Sequence, residues 1–127
     1  MVRELPKPTP AFPTVYEQIT EYKITQSIGT GETVSTGVIT IETGMIGAEL
    51  KTIRTFCTTG RTYDISLYDY EGNIMYRYTD INTELVDDAI TVPMVTGNIT
   101  TVISIASAAT GVLDFTVKLG VRSVKSV

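Results

Sequence analysis

VLDFTVKLGVRSV, residues 112–124, decides the fold. Leu113, Phe115, Val117, Leu119 and Val121 occupy one phase of a two-residue repeat. Asp114, Thr116, Lys118 and Arg122 occupy the other. Successive side chains of a strand point to opposite faces, so this pattern describes a strand with one face in a core and one in water.

Working outward, the same period returns. GNITTVISIASA (97–108) puts Ile99, Ile103 and Ile105 on one face, and TYDISLYDY (62–70) does so with Tyr63, Ile65 and Leu67. In LYDYEGNIMYRYTDI (67–81), Glu71-Gly72-Asn73 separates two alternating runs. Gly and Asn tolerate the positive φ of tight turns, so this is a β-hairpin. Pro93 removes a ladder donor from AITVPMV (89–95) and places that strand at an edge. MIGAELKTIRTFC (45–57) shifts its apolar phase between Leu50 and Ile53, as a bulge or a change of sheet requires. TVSTGVITI (33–41) carries Gly37 at a bulge or a close approach, and ITEYKITQSI (19–28) alternates before the loop GTGE. NTELVDD (82–88) reads as a polar, acidic loop.

The composition agrees. Among 127 residues are 22 Thr, 14 Ile and 13 Val, β-branched side chains that suit a pleated sheet. No helical stripe of 11 or more residues is present. The expectation is an all-β chain: a single β-sandwich or jelly roll of about eight antiparallel strands over 19–127, preceded by an extended arm over 1–18.

Charge and chemistry narrow the function. A net charge of −4 and only five Lys and five Arg, scattered, argue against nucleic acid. No apolar run is long enough to span a membrane. No signal-type h-region interrupts the charged, proline-rich start, and Met1 reads as an intact cytoplasmic beginning. With no His and one Cys, transition-metal and Ser–His or Cys–His systems lack their residues. Cys57, in IRTFCTTG, reads as a buried structural thiol in a reducing compartment. GTGET (29–33) precedes a strand, where a phosphate loop would precede a helix.

Carboxylates are the remaining catalytic option: Asp64, Asp69, Glu71, Asp80, Glu84, Asp87 and Asp88. They read as turn and surface groups, and an enzyme would need two of them across one pocket. DYEGN lacks the ligand spacing of a calcium loop. The expectation is a protein without cofactor or metal, and not an enzyme.

Two features point to binding. On the hairpin, Tyr68 and Tyr70 share a face of one strand, and Tyr76 and Tyr78 share a face of the partner strand. They form a cross-strand cluster that stabilises the sheet, a protein interface, or a sugar-stacking strip. The acidic run Asp80–Asp88 and the basic tail with Lys118, Arg122 and Lys125 read first as charge that keeps the surface soluble; the alternative is a polarity that guides head-to-tail contacts between subunits.

The second feature is the start, RELPKPTPAFPTVYEQ (3–18). Pro6, Pro8, Pro10 and Pro13 favour an extended polyproline II chain, which loses little entropy on docking. Leu5, Phe12, Val15 and Tyr16 are spaced through it, as a pure spacer would not need. These eight residues are the expected partner contacts; the alternative for this segment is a disordered leader.

Taken together, the proline-rich arm, the Thr/Ile/Val-rich sandwich and the unit YDISLYDYEGNIMYRY resemble the small β-sandwich structural proteins of tailed-phage virions, particularly head decoration proteins. The resemblance implies a virion protein assembled in the host cytoplasm, binding the major capsid protein or other virion subunits. It also implies a homo-oligomer, often a trimer, with arms reaching neighbouring subunits. The alternatives are a carbohydrate-binding module using the tyrosine hairpin, and a tail or fibre component.

Overall fold

The computed structural model describes residues 14–41, 47–58, 60–94 and 97–126. They form nine strands: β1 Thr14–Ile28, β2 Val34–Ile41, β3 Gly47–Cys57, β4 Thr62–Tyr68, β5 Ile74–Asn82, β6 Glu84–Asp87, β7 Val92–Met94, β8 Gly97–Ser104 and β9 Leu113–Ser126. Five make one sheet in the order β1-β9-β3-β6, with β7 also on β3. Four make the other, in the order β2-β8-β4-β5. Every pairing is antiparallel. The architecture is the expected β-sandwich.

The alternating residues of β9 are its spine. Leu113, Phe115, Val117, Leu119 and Val121 are all buried, facing Ile39, Ile41, Ile65, Leu67, Ile99 and Ile103 of the other sheet. Cys57 is buried in the same core. Tyr63 meets Phe115 edge to face, with ring centroids 5.0 Å apart. Its hydroxyl accepts from Thr55 Oγ1 at 2.6 Å and donates to the Thr83 carbonyl at 3.2 Å. Burial pushes the Tyr63 pKa up.

A second polar bridge between the sheets, besides Tyr63–Thr55, starts at Gln26. Gln26 of β1 reaches into the sandwich, where its Oε1 accepts from Thr101 Oγ1 at 2.6 Å. Its Nε2 donates to the Ser35 carbonyl at 3.1 Å. Gly37 makes room: a Cβ there would lie 2.6 Å from Ile24 Cδ1, 2.7 Å from Gln26 Oε1 and 3.0 Å from Thr101 Oγ1. The close approach read at Gly37 is therefore a space left for an inter-sheet hydrogen bond.

The phase shift in β3 is a bulge. Leu50 pairs Val121 and Thr52 pairs Gly120, leaving Lys51 unmatched. Pro93 lies in β7, which among the described residues pairs only β3. One reading needs correction. NTELVDD is not a loop, since Glu84–Asp87 forms β6 against Ile53–Phe56 of β3. Leu85 is half-buried against the core, and acidic neighbours masked that alternation. With β6 the described residues hold nine strands, in keeping with the expected number of about eight.

β1 begins at Thr14, ahead of the Ile19 boundary read from sequence. The backbone of Thr14, Val15 and Tyr16 pairs Ser126, Lys125 and Val124 of β9. Residues 1–13, with Leu5, Pro6, Pro8, Pro10, Phe12 and Pro13, lie outside the described residues.

Candidate functional site

The hairpin forms as its turn chemistry dictates. Gly72 takes φ +86°, and Asp69 Oδ1 accepts from the amides of Glu71 at 2.9 Å and Asn73 at 2.8 Å. Its four tyrosines are not gathered on one face. Tyr76 and Tyr78 lie opposite Leu67 and Ile65, so they point to the core side of β5. There they stack at 4.8 Å and pack half-buried against the core. The Tyr78 hydroxyl donates to Asp87 Oδ2 at 2.5 Å, tying β5 of one sheet to β6 of the other. Burial, then that bond, drives the Tyr78 pKa strongly upward.

Tyr68 is half-buried on the outer face of the four-stranded sheet, opposite Thr100 and Ile74. Tyr70 is 56% exposed and lies in the turn beyond the end of β4, over Gly97. The expectation that Tyr68 and Tyr70 share a strand face therefore fails, because β4 ends at Tyr68. Of Val15 and Tyr16 only the backbone is described.

Most of the carboxylates singled out by sequence serve the fold. Asp64 Oδ1 accepts from the Asp80 amide at 2.8 Å and fixes a residue with φ +55°. Asp69 caps the hairpin turn, Asp87 receives Tyr78, and Asp88 pairs Arg54 at 2.9 Å. Asp64 and Asp80 do share an open groove of about 360 Å³ with Arg61, Tyr63 and Ser104–Ser107. Arg61 there donates to the carbonyl and hydroxyl of Ser107, at 3.0 and 2.8 Å. Among the described residues, no three His, Cys, Asp or Glu side chains are grouped to hold a metal ion.

Sequence reading missed the outer face of the five-stranded sheet. Lys23 of β1 pairs Lys118 of β9, Lys118 pairs Arg54 of β3, and Arg54 pairs Val86 of β6. The next row holds Thr25, Thr116, Phe56 and Glu84 in the same strand order. Neighbouring strands lie about 4.8 Å apart, so three cations fall within roughly 10 Å. They line a shallow groove of about 380 Å³ with Phe56, Glu84, Val86 and Thr116. Phe56 is 41% exposed and Val86 53%. The periodicity did place Lys118 and Thr116 on an outward face, but nothing in the sequence aligned them with residues 23 and 54.

No protein-family model and no curated protein sequence matches the chain. Several solved structures are similar to it in part. The pre-peptidase C-terminal domain of collagenase from Bacillus anthracis has a TM-score of 0.49 at 14% identity, covering 78% of this chain and 86% of that one. The carbohydrate-binding module CBM36, in complex with calcium and xylotriose, has a TM-score of 0.37 at 10% identity over 78% of each chain. The virus-like particle of extra small virus from the giant freshwater prawn Macrobrachium rosenbergii has a TM-score of 0.34 at 13% identity. It covers 98% of this chain and 88% of that one. At these identities and scores none of the three carries a function over to this protein.

Proposed function

We propose that this chain is a non-enzymatic structural protein of a virion, a capsid decoration protein that holds its arm and sandwich against capsid subunits. The observation that supports this reading is where the arm is rooted. β1 is the edge strand of the five-stranded sheet, and its first residues pair with the last residues of β9. The backbones of 14–16 and 124–126 are thus fastened side by side, and the proline-rich segment precedes a strand at a sheet edge. A polyproline II chain rises about 3.1 Å per residue, so thirteen residues reach about 40 Å, enough to cross a neighbouring subunit.

The partner is the major capsid protein or another virion subunit, and several protein copies act together. Each contact is modest, and the sum grows through multivalency. An edge strand also offers unpaired backbone groups to a partner strand. The sugar-stacking alternative requires one exposed aromatic strip, whereas Tyr76 and Tyr78 face the core side, Tyr68 the outer face and Tyr70 a turn.

The test removes residues 1–13 only, because cutting to residue 18 would also strip strand pairs from β9. The full chain is expected to co-sediment with particles and raise their resistance to heat. The truncated chain is expected to keep its circular dichroism spectrum and remain in the supernatant. Equal binding by both chains refutes the arm's role, and failure of the full chain to sediment refutes the virion reading.

A further inference from the structure

We infer that the cationic row on the outer face of the five-stranded sheet is a docking groove for an acidic protein segment in which carboxylates alternate with apolar side chains. The inference is independent of the arm and stands whichever particle or protein the arm meets.

Charge placement carries the argument. Lys23 and Lys118 are direct cross-strand neighbours, and Arg54 is the next. Like charges in such positions oppose sheet formation, so the fold alone gives no reason for the row. Arg54 is offset by Asp88 at 2.9 Å. Among the described residues, neither lysine has a carboxylate within ion-pair distance. Among the described residues both lysines therefore stand without a salt bridge, in a chain whose net charge is −4.

The surroundings select the occupant. Phe56, diagonal to Lys118, and Val86, across Arg54 from the lysines, present apolar surface in the same groove, and aromatic residues with arginine are what protein interfaces favour. Glu84 and Asp88 stand at the far side, on and beside β6. A polyanion charged at every unit, such as a polyuronate or a nucleic acid, would set charges against those two carboxylates. A segment with carboxylates at alternate positions meets Lys23 and Lys118 and turns its apolar side chains to Phe56 and Val86. Its free amide groups suit Glu84.

The experiment titrates isotope-labelled full-length protein with a short capped peptide of repeated Glu-Val, followed by amide chemical shifts. Shifts are expected at residues 23, 54, 56, 116 and 118, with affinity falling as salt rises. The pair Lys23→Glu with Lys118→Glu should weaken binding by about tenfold or more. The pair Lys23→Gln with Lys118→Gln, which relieves repulsion in the sheet, should weaken it while leaving the spectrum otherwise native. A peptide with lysine in place of each glutamate should leave these residues unmoved. The inference is overturned if the Glu-Val peptide shifts none of them, or if the glutamine pair binds it as tightly. It is equally overturned if polygalacturonate occupies the same residues more tightly than the peptide.

Discussion

Replacing Thr101 with valine should destabilise the sandwich far more than the loss of one oxygen from a β-strand would suggest. Valine matches threonine in shape and suits a strand, so the change isolates the hydroxyl. That hydroxyl donates to Gln26 Oε1 at 2.6 Å and lies 3.4 Å from the Gly37 carbonyl. Thr101 is fully buried and Gln26 nearly so, which denies water to the orphaned amide oxygen. A buried acceptor left without a partner costs about 1–3 kcal/mol, so a loss of ~2 kcal/mol is expected. At a urea dependence of about 1–3 kcal/mol per molar, the unfolding midpoint should fall by about 1 M. Tyrosine fluorescence and far-ultraviolet circular dichroism provide the readout, as the chain has seven tyrosines and no tryptophan.

Gln26→Leu should also destabilise, through the Ser35 carbonyl and the stranded Thr101 hydroxyl. The double variant removes both halves of the bridge. It should cost less than the sum of the single variants by ~1 kcal/mol or more, as contacting polar partners do. Gly37→Ala is the steric counterpart: its Cβ would press on Gln26 Oε1 and Ile24 Cδ1, costing about 1–3 kcal/mol. The reasoning is refuted if Thr101→Val stays within about 0.5 kcal/mol of the parent, or if the two single effects simply add.

Three further outcomes follow from the same geometry. Lys118→Gln should raise stability at low salt by about 0.2–1 kcal/mol, with the gain fading at high salt; urea melts at two ionic strengths check it. Asp69→Ala should cost about 1–2 kcal/mol by releasing the amides of Glu71 and Asn73, whereas Asp69→Asn, which keeps an acceptor, should retain most of that stability. Tyr63 and Tyr78 have pKa values raised in the folded state, so they stabilise the fold fully below the unfolded tyrosine pKa near 10. That stability drains away as pH climbs above it. Alkaline melts should steepen beyond pH ~10, and Tyr78→Phe should flatten them.

The fold was legible wherever one strand face is buried and the other wet. β9 announced itself because its apolar and polar residues alternate without interruption, and all five residues read as inward are buried. The β4–β5 turn was equally plain, since Gly72 and the Asp69 cap are local chemistry within a few residues. β6 was hidden because its outward and rim positions, Glu84 and Asp87, are charged, and only Leu85 marks its inner face. The short strand stands by pairing with Ile53–Phe56 of β3, a tertiary fact with no local signature. Gln26 was hidden for the opposite reason. A polar residue in an inward phase weakens the alternation, yet here its amide is one of the groups that tie the sheets together.

The candidate surface was less legible, and topology says why. Among the described residues only one strand pairing, β4 with β5, joins consecutive strands; the others join strands separated along the chain. Chain connections repeatedly cross from one sheet to the other, so lateral neighbours are remote in sequence. Lys23 and Lys118 stand side by side although 95 positions separate them. Periodicity assigns each of them an outward face but carries no information on register across strands. A cationic row can therefore be built in a chain with scattered bases and a net negative charge. For the same reason the tyrosines, crowded in sequence, disperse once folded: adjacent positions of a strand diverge to opposite faces, while distant positions of different strands converge on one. In a sandwich wired this way, clustering along the chain is a poor guide to a binding surface, and the pairing register is the quantity that defines one.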